Sequence, residues 1–171
     1  MKIKSLIAAL STALIAQAAF AAGDHAGGHH GDSNNVIGQA GNAAKVRRTI
    51  AVDMTDAMRF TPADIAVEQG ETIRFVVKNT GKLKHEMVLG TEKELKEHYE
   101  VMKKYPEMEH ADENQVTVAP GKSGEIIWQF TKAGKVNFAC LQPGHYDAGM
   151  KGAVAVSGKV VAGDAHTMHE H

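Results

Sequence analysis

The chain has 171 residues, with 19 Lys and Arg against 20 Asp and Glu, for a formal net charge of −1 at pH 7. That balance gives no reason to expect nucleic acid or an anionic membrane as partner, and the length suffices for one domain with a core of its own. Ten His and eight Met beside a single Cys form the compositional anomaly; imidazole, thioether and thiolate are the side chains that copper accepts in its two oxidation states.

Taken in chain order, residues 1–21 carry Lys2 and Lys4, an apolar run from Leu6 to about Ala16, and small residues around Ala19 and Ala21. This is the three-part pattern of a cleaved secretory signal. A mature chain beginning near Ala22 and a bacterial periplasmic location are expected. No other apolar run approaches the roughly 20 residues that span a bilayer, so no membrane span is expected. In an oxidising compartment cysteines come in pairs. The lone Cys140 is therefore either a small buried hydrophobe or a thiolate held by a metal.

Residues 22–45 are polar and Gly-rich, which predicts a flexible tail; it bears His25, His29 and His30, and a second tail over 163–171 bears His166, His169 and His171. These histidines either capture copper loosely or are merely solvated. A mature end at Gly23 would let Gly23, Asp24 and His25 surround Cu(II) in a square plane, but cleavage after Ala21 puts His25 one residue too far along.

From 46 to 162 the pattern is mostly strand. Ile50, Val52 and Met54 alternate with polar or small residues, as do Ile65 and Val67; Ile73, Phe75 and Val77 follow the turn at Gly70. Later, Ile126, Trp128 and Phe130 lead through "TKAGK" to Val136, Phe138 and Cys140. Short strands between turn residues predict an all-β, antiparallel sandwich or small barrel. Period two puts Cys140 on the inward face with Val136 and Phe138, and His85 on one face with Met87 and Leu89. One segment, over about 91–110, is helical instead. Thr91 and Glu94 have capping-box spacing, Leu95, Tyr99 and Met102 share one face, and Pro106 stops the helix. Glu92 with Lys96 and Glu100 with Lys104 are spaced to pair one turn apart.

The stretch "CLQPGHYDAGM" places His145 five residues after Cys140 and Met150 five after that. Two imidazoles and a thiolate in a trigonal plane, with a weak axial thioether, suit both Cu(I) and Cu(II). His85, Cys140 and His145 form the expected in-plane set and Met150 the axial ligand, with Pro143, Gly144 and Gly149 turning the chain between them. Zinc sites favour thiolates or histidines without thioether, and no C-x-x-C-H haem motif is present. His98 with Met102, and Met108 with His110, are weaker candidates for additional, loosely bound copper; Met102 lies on the apolar stripe, and packing is the better explanation of it.

On these residues the chain resembles the cupredoxins, the small type 1 copper proteins. The likeness rests on "RFTPADIAVEQGETIRFVVKN", His85, "VAPGKSGEIIWQF" and "NFACLQPGHYDAGMKG". It implies an eight-stranded Greek-key sandwich and one-electron transfer. The Cys-to-His-to-Met spacing is similar to rusticyanin, and the His-bearing tails resemble CopI-type periplasmic cupredoxins linked to copper tolerance. Two positions depart from the family: Glu86 stands where many members carry Asn or Ser to brace the ligand loop, and Leu141 follows the cysteine. The expected function is single-electron transfer with His145 as exit, or copper buffering and delivery through the tails. Oxidases and nitrite reductases need an H-C-H run, whereas Ala139 and Leu141 flank Cys140 here, so no enzyme activity is expected. Expected partners are a redox protein or a copper-donating or copper-accepting protein, with the chain itself a monomer.

Overall fold

The computed structural model describes residues 34–108 and 112–158. Residues 1–21 with their expected leader, the six histidines of the expected tails and His110 lie outside these residues.

The chain runs through one helical turn, α1 (Asn34–Ile37), then β1 (Gln39–Ala40), a 3-10 turn (Ala43–Lys45), β2 (Arg48–Thr55), β3 (Arg59–Thr61), β4 (Asp64–Glu68) and β5 (Thr72–Asn79). It continues as β6 (His85–Gly90), α2 (Glu92–Lys104), β7 (Gln115–Val118), β8 (Ser123–Gln129), β9 (Gly134–Ala139) and β10 (Lys151–Ser157). The strands form two five-stranded sheets, ordered β1-β8-β5-β2-β3 and β4-β10-β9-β6-β7. Apolar residues on alternate positions of the two inner faces meet in one core that includes Val52, Phe75, Leu89, Trp128, Phe138 and Cys140. Every residue assigned inward by period two is buried or packed against that core, Ile50 being the partly buried one.

The sandwich is not purely antiparallel. β2 pairs with β5, and β4 with β10, in parallel. After β3 the chain crosses to the other sheet as β4 and returns as β5 beside β2, and a return by such a crossover restores the original strand direction. The count also exceeds eight, because the short β1 and β3 add rungs at the two edges of one sheet.

The ordered fold begins upstream of position 46. Ile37 is 3% exposed within the core, the Trp128 indole donates to its carbonyl at 2.8 Å, and β1 pairs with β8. The tail expected over 22–45 is thus docked from residue 34 onward. A two-residue strand in a Gly-rich segment carries no periodicity by which it could be read.

α2 opens on the expected capping box: Thr91 accepts from the Glu94 amide and the Glu94 carboxylate accepts from the Thr91 amide. Its apolar face, Leu95, Tyr99 and Met102, packs with Val88, Ala139, Leu141 and Tyr146 in a second cluster. β6 is consequently buried on both faces. Glu92 pairs with Lys96 as expected, at 2.8 Å, while Glu100 meets Lys103 rather than Lys104, at 2.6 Å.

A chain starting at residue 46 is expected to lose about 2–4 kcal/mol of unfolding free energy, the combined worth of burying an isoleucine and making the indole hydrogen bond. Denaturant titration against a chain starting at residue 34 checks this; equal midpoints would show that the early segment contributes nothing.

Candidate metal centre

His85 opens β6 and Cys140 follows the last residue of β9, so both leave neighbouring strands at the same end of one sheet. Both side chains are fully buried, at 0% exposure. The 140–150 loop then turns back on itself. Gly144 and Gly149 take positive φ values of 85° and 88°, a region that side chains with a Cβ disfavour. The Met150 amide donates to the His145 carbonyl at 3.0 Å, and the Cys140 amide donates to the Met150 carbonyl at 3.1 Å. These two bonds close the loop and hold Met150 beside Cys140, where its side chain is buried in the main core.

The structure gathers three donor atoms. His85 Nδ1 lies 3.1 Å from His145 Nδ1, and Cys140 Sγ lies 3.3 Å from His145 Nδ1 and 4.0 Å from His85 Nδ1. A point equidistant from all three falls inside this triangle at about 2 Å from each, close to a metal's bond length to imidazole and slightly short of that to thiolate. The donor set, two imidazoles and one sulfur with a buried thioether adjoining, fits copper. Among the described residues these three side chains are the one group of His, Cys, Asp or Glu able to share a metal. Of the weaker candidates, Met102 is buried under α2 and serves packing.

Burial sets the electrostatics. Desolvation pushes the Cys140 thiol up to about 12, against the partial relief of the Glu86 amide pointing at its sulfur from 3.4 Å. Desolvation, and then the neighbouring His85, holds His145 below the ordinary imidazole range. An anion enters the site from a turn that carries no sequence signal for it. Asp56 Oδ1 is 3.0 Å from His85 Nε2. Its carboxyl sits below the usual range, held there first by the Lys82 amide and then by the His85 hydrogen bond. A carboxylate on Nε2 requires a proton there and leaves the Nδ1 lone pair free for a metal.

Glu86 takes up the bracing that the family assigns to Asn or Ser. Its carboxylate, 6% exposed, accepts from the Leu141 amide at 2.9 Å, from Gln142 Nε2 at 3.2 Å and from the Thr117 hydroxyl at 3.3 Å. Burial raises its pKa, opposed by those donors.

Comparison with known proteins points the same way. The family described as copper binding proteins, plastocyanin/azurin family, matches residues 46–157. The chain is 55% identical over 132 residues, 77% of its length and 80% of the relative's, to the copper-resistant cuproprotein CopI of Rubrivivax gelatinosus. It is 38% identical over 166 residues, 80% of its length and 90% of the relative's, to the protein so named in Pseudomonas aeruginosa. In fold it is similar to the dithionite-reduced auracyanin of Roseiflexus castenholzii, with a TM-score of 0.56 and 24% identity over 66% of this chain and 98% of that one. Auracyanin B gives a TM-score of 0.57 at 19% identity, over 70% and 96%.

Two outcomes are expected from the site's electrostatics. A thiol near 12 must lose its proton to ligate, while His145, held low, is already neutral above pH 7. Apparent metal affinity should therefore rise about tenfold per pH unit between pH 7 and 9. Competition titration with a chelator of known affinity measures the slope, which should vanish in Cys140→Ala. Asp56→Asn weakens the partner of the ligating ring and should lower affinity about 10-fold to 100-fold at pH 7; an unchanged constant would remove Asp56 from the site.

Proposed function

We propose, on the premise that this chain belongs to the plastocyanin/azurin family of copper-binding proteins, that it is a periplasmic carrier of single electrons working where copper is in excess. His85, Cys140 and His145 would hold the ion, with the Met150 thioether as a weaker fourth ligand. Bound there, copper supplies a Cu(I)/Cu(II) couple in a site that suits both states. The observation that carries the reading is the triangle of two Nδ1 atoms and one Sγ drawn together at 3.1, 3.3 and 4.0 Å.

The chain's own residues do the rest. Glu86 and the loop's closing hydrogen bonds hold the donors in place, so little has to move when the charge of the centre changes. His85 and Cys140 are closed off from solvent, whereas His145 is half-buried and offers the short way out for an electron. Ala139 and Leu141 stand where multi-copper enzymes need histidines, which favours a carrier over a catalyst. The leader pattern over 1–21 supports export, and the copper-resistant designation of the relatives supports the setting.

The same designation favours a second reading, copper buffering through the tail histidines. Two measurements separate them. Copper-loaded protein should give a reversible one-electron wave in voltammetry, and an intense visible band that Cys140→Ser abolishes; a Ser variant with an unchanged spectrum would mean that the thiolate is not a ligand. Copper titration should exceed one equivalent for the full mature chain and fall to one when both tails are deleted. Saturation at one in both would leave electron transfer alone.

A further inference from the structure

The insertion helix α2 has no part in ligating copper, yet it reaches the ligand loop from outside the sandwich. The Tyr99 hydroxyl, on a side chain 2% exposed, accepts from the Gly144 amide at 2.9 Å and donates to Asp147 Oδ2 at 2.8 Å. Gly144 and Asp147 lie on either side of His145 in the chain. One hydroxyl thus spans the segment that carries this ligand. The Tyr99 ring stacks on that of Tyr146, with centroids 5.1 Å apart, and Tyr146 lies between Lys151 Nζ at 3.6 Å on its face and the apolar cluster beneath α2. The other holds on the loop act elsewhere: Glu86 at Leu141 and Gln142, and Arg59 at the Ala148 carbonyl, 3.2 Å away.

We propose that α2 is a latch on the ligand loop, with Tyr99 as the positioning residue that sets how fast the loop opens and surrenders copper. The inference rests on the reading that the 140–150 loop supplies Cys140, His145 and Met150 to the ion. His85 alone comes from the body of the sheet, so release requires the loop to lift, and lifting it breaks both hydrogen bonds of the Tyr99 hydroxyl. The ion leaves as Cu(I) with no change of oxidation state while the Cys140 thiolate takes a proton from water, so no oxidant or reductant is involved. A helix anchored by its own capping box and by Leu95 and Met102 in the cluster is a rigid base for such a contact, and rigid supports fix ligand geometry better than loops do.

The test uses the copper-loaded full mature chain. Transfer of Cu(I) to bathocuproine disulfonate is followed at chelator concentrations where the rate has saturated, so that opening of the protein limits it. Tyr99→Phe keeps the ring stack and removes both hydroxyl bonds; transfer should be about tenfold faster, as expected for two hydrogen bonds of ordinary net strength lost together. Asp147→Ala, at an exposed position that tolerates change, removes one and should give about threefold. Met102→Leu disturbs the packing under α2 without touching the hydroxyl, and should stay within twofold even where its apo-protein melting midpoint falls as far as that of Tyr99→Phe. Transfer within twofold of wild type in Tyr99→Phe overturns the latch. So does Met102→Leu accelerating as much as Tyr99→Phe, since that would be general destabilisation. If Tyr99→Phe does not fold, unchanged transfer in Asp147→Ala overturns it instead. A wild-type protein whose Cu(II)-loaded form shows no thiolate-to-copper band would strike the copper reading itself, which a visible spectrum recorded before reduction to the Cu(I) form distinguishes from failure of the latch.

Discussion

The sulfur of Cys140 is the constraint around which the structure is arranged. It is fully buried, and desolvation raises its pKa to about 12, so a thiolate there needs a cation within bonding reach. Two imidazole nitrogens face it at 3.3 and 4.0 Å. They can share such a cation, and they cannot replace it. The lone cysteine of the chain is thereby placed where two imidazole nitrogens could share a metal with it.

Around that sulfur, support comes from four separate elements. Asp56, in the turn after β2, holds the far nitrogen of His85. Glu86 on β6 holds the start of the ligand loop, Tyr99 on α2 its middle, and Arg59 on β3 its end. None of these contacts is worth much alone; net hydrogen bonds contribute about 0.5–1.5 kcal/mol each. Together they fix the positions of groups that would otherwise move when the charge at the centre changes, and a site that moves little is what fast electron exchange and slow metal loss both require.

The parts of this arrangement legible in the sequence are those governed by local rules. Period-two alternation is enough to aim Cys140 inward with Phe138, and His85 inward with Met87. The capping box at Thr91 and Glu94 marks the start of α2, and Pro143, Gly144 and Gly149 mark the turns of the loop. What was not legible depends on which strands become neighbours. Alternation names faces and says nothing of partners, so the parallel pairing of β2 with β5 and of β4 with β10 could not be read from it. Asp56 lies 29 residues before His85 in a turn rich in small and polar residues, with no spacing rule to link the two. Glu86 could be seen as a departure at its position, but its role depends on the Leu141 amide, which is brought to it only by the pairing of β6 with β9. Ile37 and β1 were hidden for the opposite reason: the segment that docks them is too short and too rich in Gly to show a period.

X-ray absorption at the copper edge of the loaded protein addresses the assembly of the site most directly. The account predicts a first shell of two nitrogen scatterers and one sulfur at short range, about 2.0–2.3 Å by analogy with other metal sites, with the short sulfur absent in Cys140→Ser. A shell built only of nitrogen and oxygen in the wild-type protein would contradict it.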